Sequence, residues 1–316
     1  MNQKTSIITA PEGTLPSVPL RGTVPPKSSD VPQPRYVLLS RILTFGLRAR
    51  WKRTVLFWFR FAANPFLTTR WWRFLSTFTA TREFPPPHDE LLQKPLSKFL
   101  VYGLSSSKRL SLLIEHFSIA ERILSRESMI SLWRGEWLDM GTVRGRAEAY
   151  SCHIALADRA GGRHEGAFAI KLVRVRDKAV LCTSRFMFVR RGTEGRYTFV
   201  VGSMQGPRNA KQRMVEVTRD LSGLRPKEAL LVVLQGLTVE GGTQQFLAIS
   251  QAKHPIHYRR SRRQSMMLSN IDAFWAERSA EPEETFGFRV PHSRVYGADK
   301  RSRSKLWFFN LGELFH

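Results

Sequence analysis

Four stretches in the middle of the chain, Gly145 to Asp158, Gly166 to Asp177, Ala179 to Arg191 and Arg196 to Gly206, alternate apolar and polar residues or run apolar throughout. Only short joints separate them: "RAGGRHEG", "VRDKA" and "RRGTEG", rich in glycine or charge. A period of two is the pattern of β-strands, and connections this short suit antiparallel neighbours rather than parallel ones. The spacing predicts a four-stranded antiparallel meander, around which the remaining elements must pack.

The flanks read as helices. From Ser106 to Leu132 apolar residues recur at spacings of three and four behind serines able to cap, which predicts one amphipathic helix or two in sequence. After the meander, Asn209 to Leu221 and Pro226 to Glu240 are helix-like, and Gln244 to Ser250 is strand-like behind Gly241-Gly242. Helices, meander, two helices, a strand and a mixed tail indicate an α+β fold, a mainly antiparallel mixed sheet with helices packed on it. A chain of 316 residues, 42% of them hydrophobic, can bury a core without disulfides or metal. Its two cysteines, Cys152 and Cys182, fall in predicted strands and suit a reducing compartment.

The formal charge is +24, which favours an anionic partner. Half of that excess lies between Met1 and Leu110, and no acid occurs between Asp30 and Glu83. Residues 1–35 are rich in Pro, Ser and Thr, lack the apolar run of a secretory signal, and read as a disordered tail. Residues 36–90 form a basic, aromatic region: two short helices broken near Asn64-Pro65, then the extended linker "REFPPPHDE". Arginine interrupts every apolar run well short of the roughly 18 to 20 residues a spanning helix needs, so no transmembrane helix is expected. Large aromatics at helical spacing pack on the protein's own core or lie in a membrane interface, with Arg48, Arg50, Lys52 and Arg53 as candidate contacts to an anionic lipid or glycolipid surface. Residues 91–316 make up the α+β domain. Within it Arg259, Arg260, Arg262 and Arg263 form an acid-free cluster able to grip phosphates, and without a recognised nucleic-acid signature the charge predicts only nonspecific binding to nucleic acid.

The joint "GLRPK" has a capping explanation. Gly223 suits the left-handed C′ position of one helix, and Pro226 the first position of the next. The second helix would begin with free N–H groups beside Arg225 and Lys227, a geometry that can hold phosphate. Gln205 and Gly206, at the end of the last meander strand, complete a candidate anion site. His116 sits among apolar residues as a core histidine, and Trp275 in "DAFWAE" reads as an anchor. His254 and His257, three apart around Pro255, lack a third ligand, so no metal site is expected. No Ser-His-Asp or P-loop arrangement is apparent.

At "VVGSMQGP", "TRDLSGLRPKEALL", "DAFWAE" and "KRSRSKLWFF" the chain resembles the VirK/YbjX family of bacterial proteins, filed under a domain of unknown function. The resemblance runs from about Leu91 to Phe315 and includes the helix with "EHF" and the strand start "HEGAF". It implies a bacterial factor, cytoplasmic or peripheral to the inner membrane, linked to virulence, envelope integrity and resistance to cationic antimicrobial peptides, with a basic C-terminal strand; it supplies no catalytic residue. The order meander, "GLRPK", helix, strand is also similar to the plan of GNAT N-acyltransferases. That likeness would imply a coenzyme A thioester whose pyrophosphate lies on Gln205, Gly206, Arg225 and Lys227.

Overall fold

A computed structural model describes residues 55, 58–59, 61–94, 98–192, 195–258 and 270–315. The tail 1–35 and the basic clusters Arg48 to Arg53 and Arg259 to Arg263 lie outside these residues. Eight strands form one sheet: β1 Leu138–Arg144, β2 Ala149–Leu156, β3 Phe168–Arg174, β4 Val180–Arg190, β5 Tyr197–Gln205, β6 Gln245–Ile249, β7 Glu281–Glu283 and β8 Gly287–Pro291. Their spatial order is β1-β2-β3-β4-β5-β6-β8-β7. Among the described strands only β5 and β6 pair in parallel; the other pairs are antiparallel. The expected meander is therefore present as β2 to β5, extended by β1 on one side and by β6, β8 and β7 on the other.

Each described helix of any length begins where its chemistry allows. Helix α1, Pro65–Thr81, starts with proline in its first turn, after the predicted break at Asn64. It is followed by the short α2, Asp89–Leu92. In α3, Ser106–Ile123, the Ser105 side chain accepts from Lys108 N–H, and in α4, Arg126–Trp133, Ser125 does the same for Ser128. Then come α5 Lys211–Asp220, α6 Pro226–Leu237, α7 Ile271–Ala276 and α8 Lys300–Glu313. The last replaces the basic C-terminal strand that the family resemblance implied. Asp299 caps it, its Oδ1 accepting from Arg301 and Ser302 N–H at 2.8 and 3.0 Å.

One face of the sheet carries Cys152, Ile154, Phe168, Ile170, Leu172 and Phe186, all essentially inaccessible. Helices α3, α4, α6 and α8 cover this face. His116 of α3 lies against Phe168 and Phe188, with ring centroids 4.4 and 5.4 Å away. Leu311 of α8 lies over Gly141 of β1. Helices α6 and α8 approach so closely that a Cβ on Gly236 would meet the Phe309 carbonyl oxygen at 2.0 Å, and one on Gly312 the Val233 carbonyl oxygen at the same distance. Helix α1 joins the same core through Trp71, Trp72, Leu75 and Phe78.

Candidate functional site

The opposite face of the sheet is polar in part. Residues alternate across a strand, so Ser151, His153, Ala169, Lys171, Val173, Thr183, Arg185, Ser203 and Gln205 share it. The segment 157–166 lies over part of it. Arg185 donates to the Ala160 carbonyl at 2.7 Å and pairs with Glu165 at 3.2 Å, while Ser203 donates to Glu165 at 2.6 Å. Gly162 is needed for this approach, since a Cβ there would lie 1.8 Å from Arg185 Nε. Glu165 of the "HEG" sequence thus clamps the loop to the sheet. Beside it, Lys94 is buried between Asp158, 2.7 Å away, and the Gly166 carbonyl, 2.9 Å away.

Beyond this loop a row of polar residues stays open. Strand register aligns Asp139 of β1, His153 of β2, Lys171 of β3, Thr183 of β4 and Gln205 of β5 as successive cross-strand partners. At the β1 end the row forms the floor of a groove of about 320 Å³, lined by Asp139, Ser151, His153, Lys171, Lys178 and a wall that includes Val173 and Val180. Ser151 Oγ and His153 Nε2 are 2.9 Å apart. Burial holds the His153 imidazole below its ordinary pKa; the Asp139 carboxylate opposes this, and the Lys171 and Lys178 charges add to it. Burial also lowers the Lys171 ammonium, which sits 3.7 Å from the centroid of the Trp137 ring. Among the described residues no carboxylate lies within ion-pair distance of Lys171 or Lys178. Ser151 and His153, two apart in a predicted strand, were bound to share a face; Asp139 and Lys171 reach them only through strand register, which a single sequence does not reveal.

The candidate residues at the "GLRPK" joint are placed differently. Gln205 and Gly206 are exposed at the end of β5, and a Cβ on Gly206 would lie 3.4 Å from the Leu181 carbonyl oxygen. Arg225 pairs with Glu277 at 3.3 Å, and Lys227 lies 5.0 Å from the Phe274 ring centroid, above which Arg278 also stacks at 3.6 Å. Both bases are engaged by α7 and the turn after it. Among the described residues no hydrogen bond or ion pair joins them to Gln205 or Gly206. The turn itself is a Schellman motif displaced by one residue from expectation. Ser222, with φ 58°, holds the C′ position, while Gly223, with φ 88°, has the expected left-handed conformation one residue later, and its N–H donates back to the Thr218 carbonyl at 2.7 Å. Trp275 is buried against Phe246, and among the described residues no His, Cys, Asp and Glu cluster could hold a metal ion.

A third feature is the start of α1. Its buried side faces the core, yet Phe66 is 88% exposed, Arg70 and Arg73 are open to solvent, and Phe59, ahead of the helix, is 70% exposed. No carboxylate pairs with either arginine among the described residues. No described helix is long and apolar enough to cross a membrane.

A family model described as "Protein of unknown function (DUF535)" matches residues 47–296, well over half of the chain. The chain belongs to the DUF535 family. The match takes in α1, the whole sheet and the groove, and ends just before α8. No curated protein and no solved structure matches the chain.

Proposed function

We propose that this DUF535 protein is a peripheral factor of the bacterial envelope that contacts an anionic membrane or glycolipid surface through the start of α1 and the residues leading into it. The observation that carries this reading is the exposure of Phe59 and Phe66, with Arg70 and Arg73 open to solvent on α1, in a stretch with no acid between Asp30 and Glu83. Interfacial binding needs that combination. Aromatic rings gain about 1.5 to 3 kcal/mol each when removed from water, and each base near an anionic surface adds about 1 kcal/mol. Phe61 stacks on Trp72 at 5.3 Å, which ties the residues before α1 to the buried side of that helix. The similarity to the VirK/YbjX family supports an envelope setting, with virulence, envelope integrity and antimicrobial-peptide resistance as its consequences. The arginine clusters at 48–53 and 259–263 would reinforce the contact.

Flotation with vesicles tests the proposal. Vesicles containing phosphatidylglycerol should carry the protein upward, and neutral phosphatidylcholine vesicles should not. Replacing Phe59 and Phe66 together by Ser should weaken anionic-vesicle binding about tenfold or more, with the melting temperature unchanged. Equal binding to both vesicle types, or no loss in the double variant, would sink the idea.

A further inference from the structure

We propose that the groove on the open sheet face is an ester-cleaving site in which Ser151 is the nucleophile, His153 its base, and Lys171 with Lys178 the cationic partners of a carboxylic ester that carries an anionic group. This goes beyond membrane contact and uses none of the α1 residues. Three features of the geometry support it. The Ser151 hydroxyl is already 2.9 Å from His153 Nε2, within the reach a nucleophile and its base require. Both line a concave groove rather than a flat surface. The two lysines in that groove have no carboxylate of their own among the described residues, so a bound anion would satisfy charges the fold leaves open. The wall at Val173, Val175 and Val180 would take the apolar part of an amphiphilic ester.

The step balances without any further reagent. Ser151 Oγ attacks the ester carbonyl carbon, and its proton passes to His153 Nε2. Collapse breaks the bond to the alkoxide, which takes the proton from His153 and leaves as an alcohol. Water then gives a proton to His153, attacks the acyl-serine, and releases the carboxylic acid as Ser151 recovers its proton. Burial favours the neutral imidazole, the form a base needs. The groups facing it are Asp139 on β1, Ser151 beside it on β2, Lys171 on β3 and Lys178 in the following turn. The Asp139 carboxylate favours the imidazolium formed during attack, and its Oδ1 is held by the Gly141 N–H at 2.9 Å.

The test uses the full chain, a fluorophosphonate probe and peptide mass spectrometry. Ser151 should carry the adduct at neutral pH, Ser151→Ala should abolish it, and His153→Gln should slow labelling at least tenfold. Lys171→Met should slow release of p-nitrophenol from a p-nitrophenyl ester bearing a terminal carboxylate more than release from its neutral counterpart. An unlabelled Ser151 in the wild-type chain, or labelling as fast in a folded His153→Gln variant, would overturn the proposal. If His153→Gln fails to fold, the wild-type adduct position and the two p-nitrophenyl esters compared on Lys171→Met decide the matter. Vesicle binding is measured separately with Phe59 and Phe66, so either proposal can fail without the other.

Discussion

Two histidines away from the groove set how this protein should respond to acid. His116 is fully buried; its Nδ1 accepts the Phe188 N–H at 3.0 Å, and burial together with the Lys94 charge holds its pKa well below the ordinary value. His292 lies beside the stacked Phe199 and Phe246 rings, with centroids 6.3 and 6.1 Å away, and burial lowers its pKa to about 4. In both cases the unfolded chain, with a pKa of about 6.5, binds the proton first. Stability is therefore complete well above pH 6.5, declines as pH falls below 6.5, and stops declining only once pH has passed below the lowered native value. For His292 the loss is about 2 kcal/mol between pH 7 and pH 5, a window in which most carboxylates stay ionised. Urea midpoints measured across that window should fall, and His292→Phe should flatten the dependence by that share. Phe fits because the imidazole already stacks as an aromatic ring and its buried Nε2 has no hydrogen-bond partner to lose. His116→Phe should behave differently, since it strands the buried Phe188 N–H at a cost of about 1 to 3 kcal/mol even at neutral pH.

At the level of elements, the turn before α6 and the glycine inside it make opposite predictions. Ser222 holds a left-handed conformation that disfavours side chains, so Ser222→Gly should raise stability by about 0.5 to 1 kcal/mol, read as a higher melting temperature. Gly236→Ala should do the reverse, because its new methyl would strike the Phe309 backbone of α8, and overpacking of this kind costs about 1 to 3 kcal/mol or more. The joint between α5 and α6 was legible because Gly and Pro constrain the backbone locally. The strands β2 to β5 were legible because period two and short turns are local signals as well. Strand β1 was not, since Gly141 and a bulge between Asp139 and Gly141 break its alternation. Strand β7 has only three residues, one of them proline. In Lys300–Glu313 family resemblance pointed to a strand, yet Asp299 and the packing of Gly312 against α6 make it a helix. The groove was half legible for the same reason: Ser151 and His153 are neighbours in sequence, while Asp139 and Lys171 are joined to them by pairing across strands.

Across the whole molecule, a chain of aromatic contacts ties helix α1 to the sheet. The Trp71 and Trp72 indole N–H groups donate to the Leu91 and Leu92 carbonyls at 2.7 and 3.1 Å. Trp71 meets Phe117 of α3 at 6.1 Å, and Phe117 meets Trp133 of α4 at 5.5 Å and Phe168 of β3 at 5.9 Å. A helix so anchored cannot detach without opening the core beneath the sheet. Helix α1 should therefore unfold with the sheet rather than before it, and urea curves followed by far-ultraviolet circular dichroism and by tryptophan fluorescence should coincide. Trp71→Ala should shift both curves together, by about 3 to 5 kcal/mol. If fluorescence instead moved ahead of circular dichroism, or the variant lost only an early phase, α1 would be an independent unit. Surface attachment through Phe59 and Phe66 would then say nothing about where the sheet and its groove are held relative to the membrane. Coincident curves would mean that anchoring the rings also positions the groove.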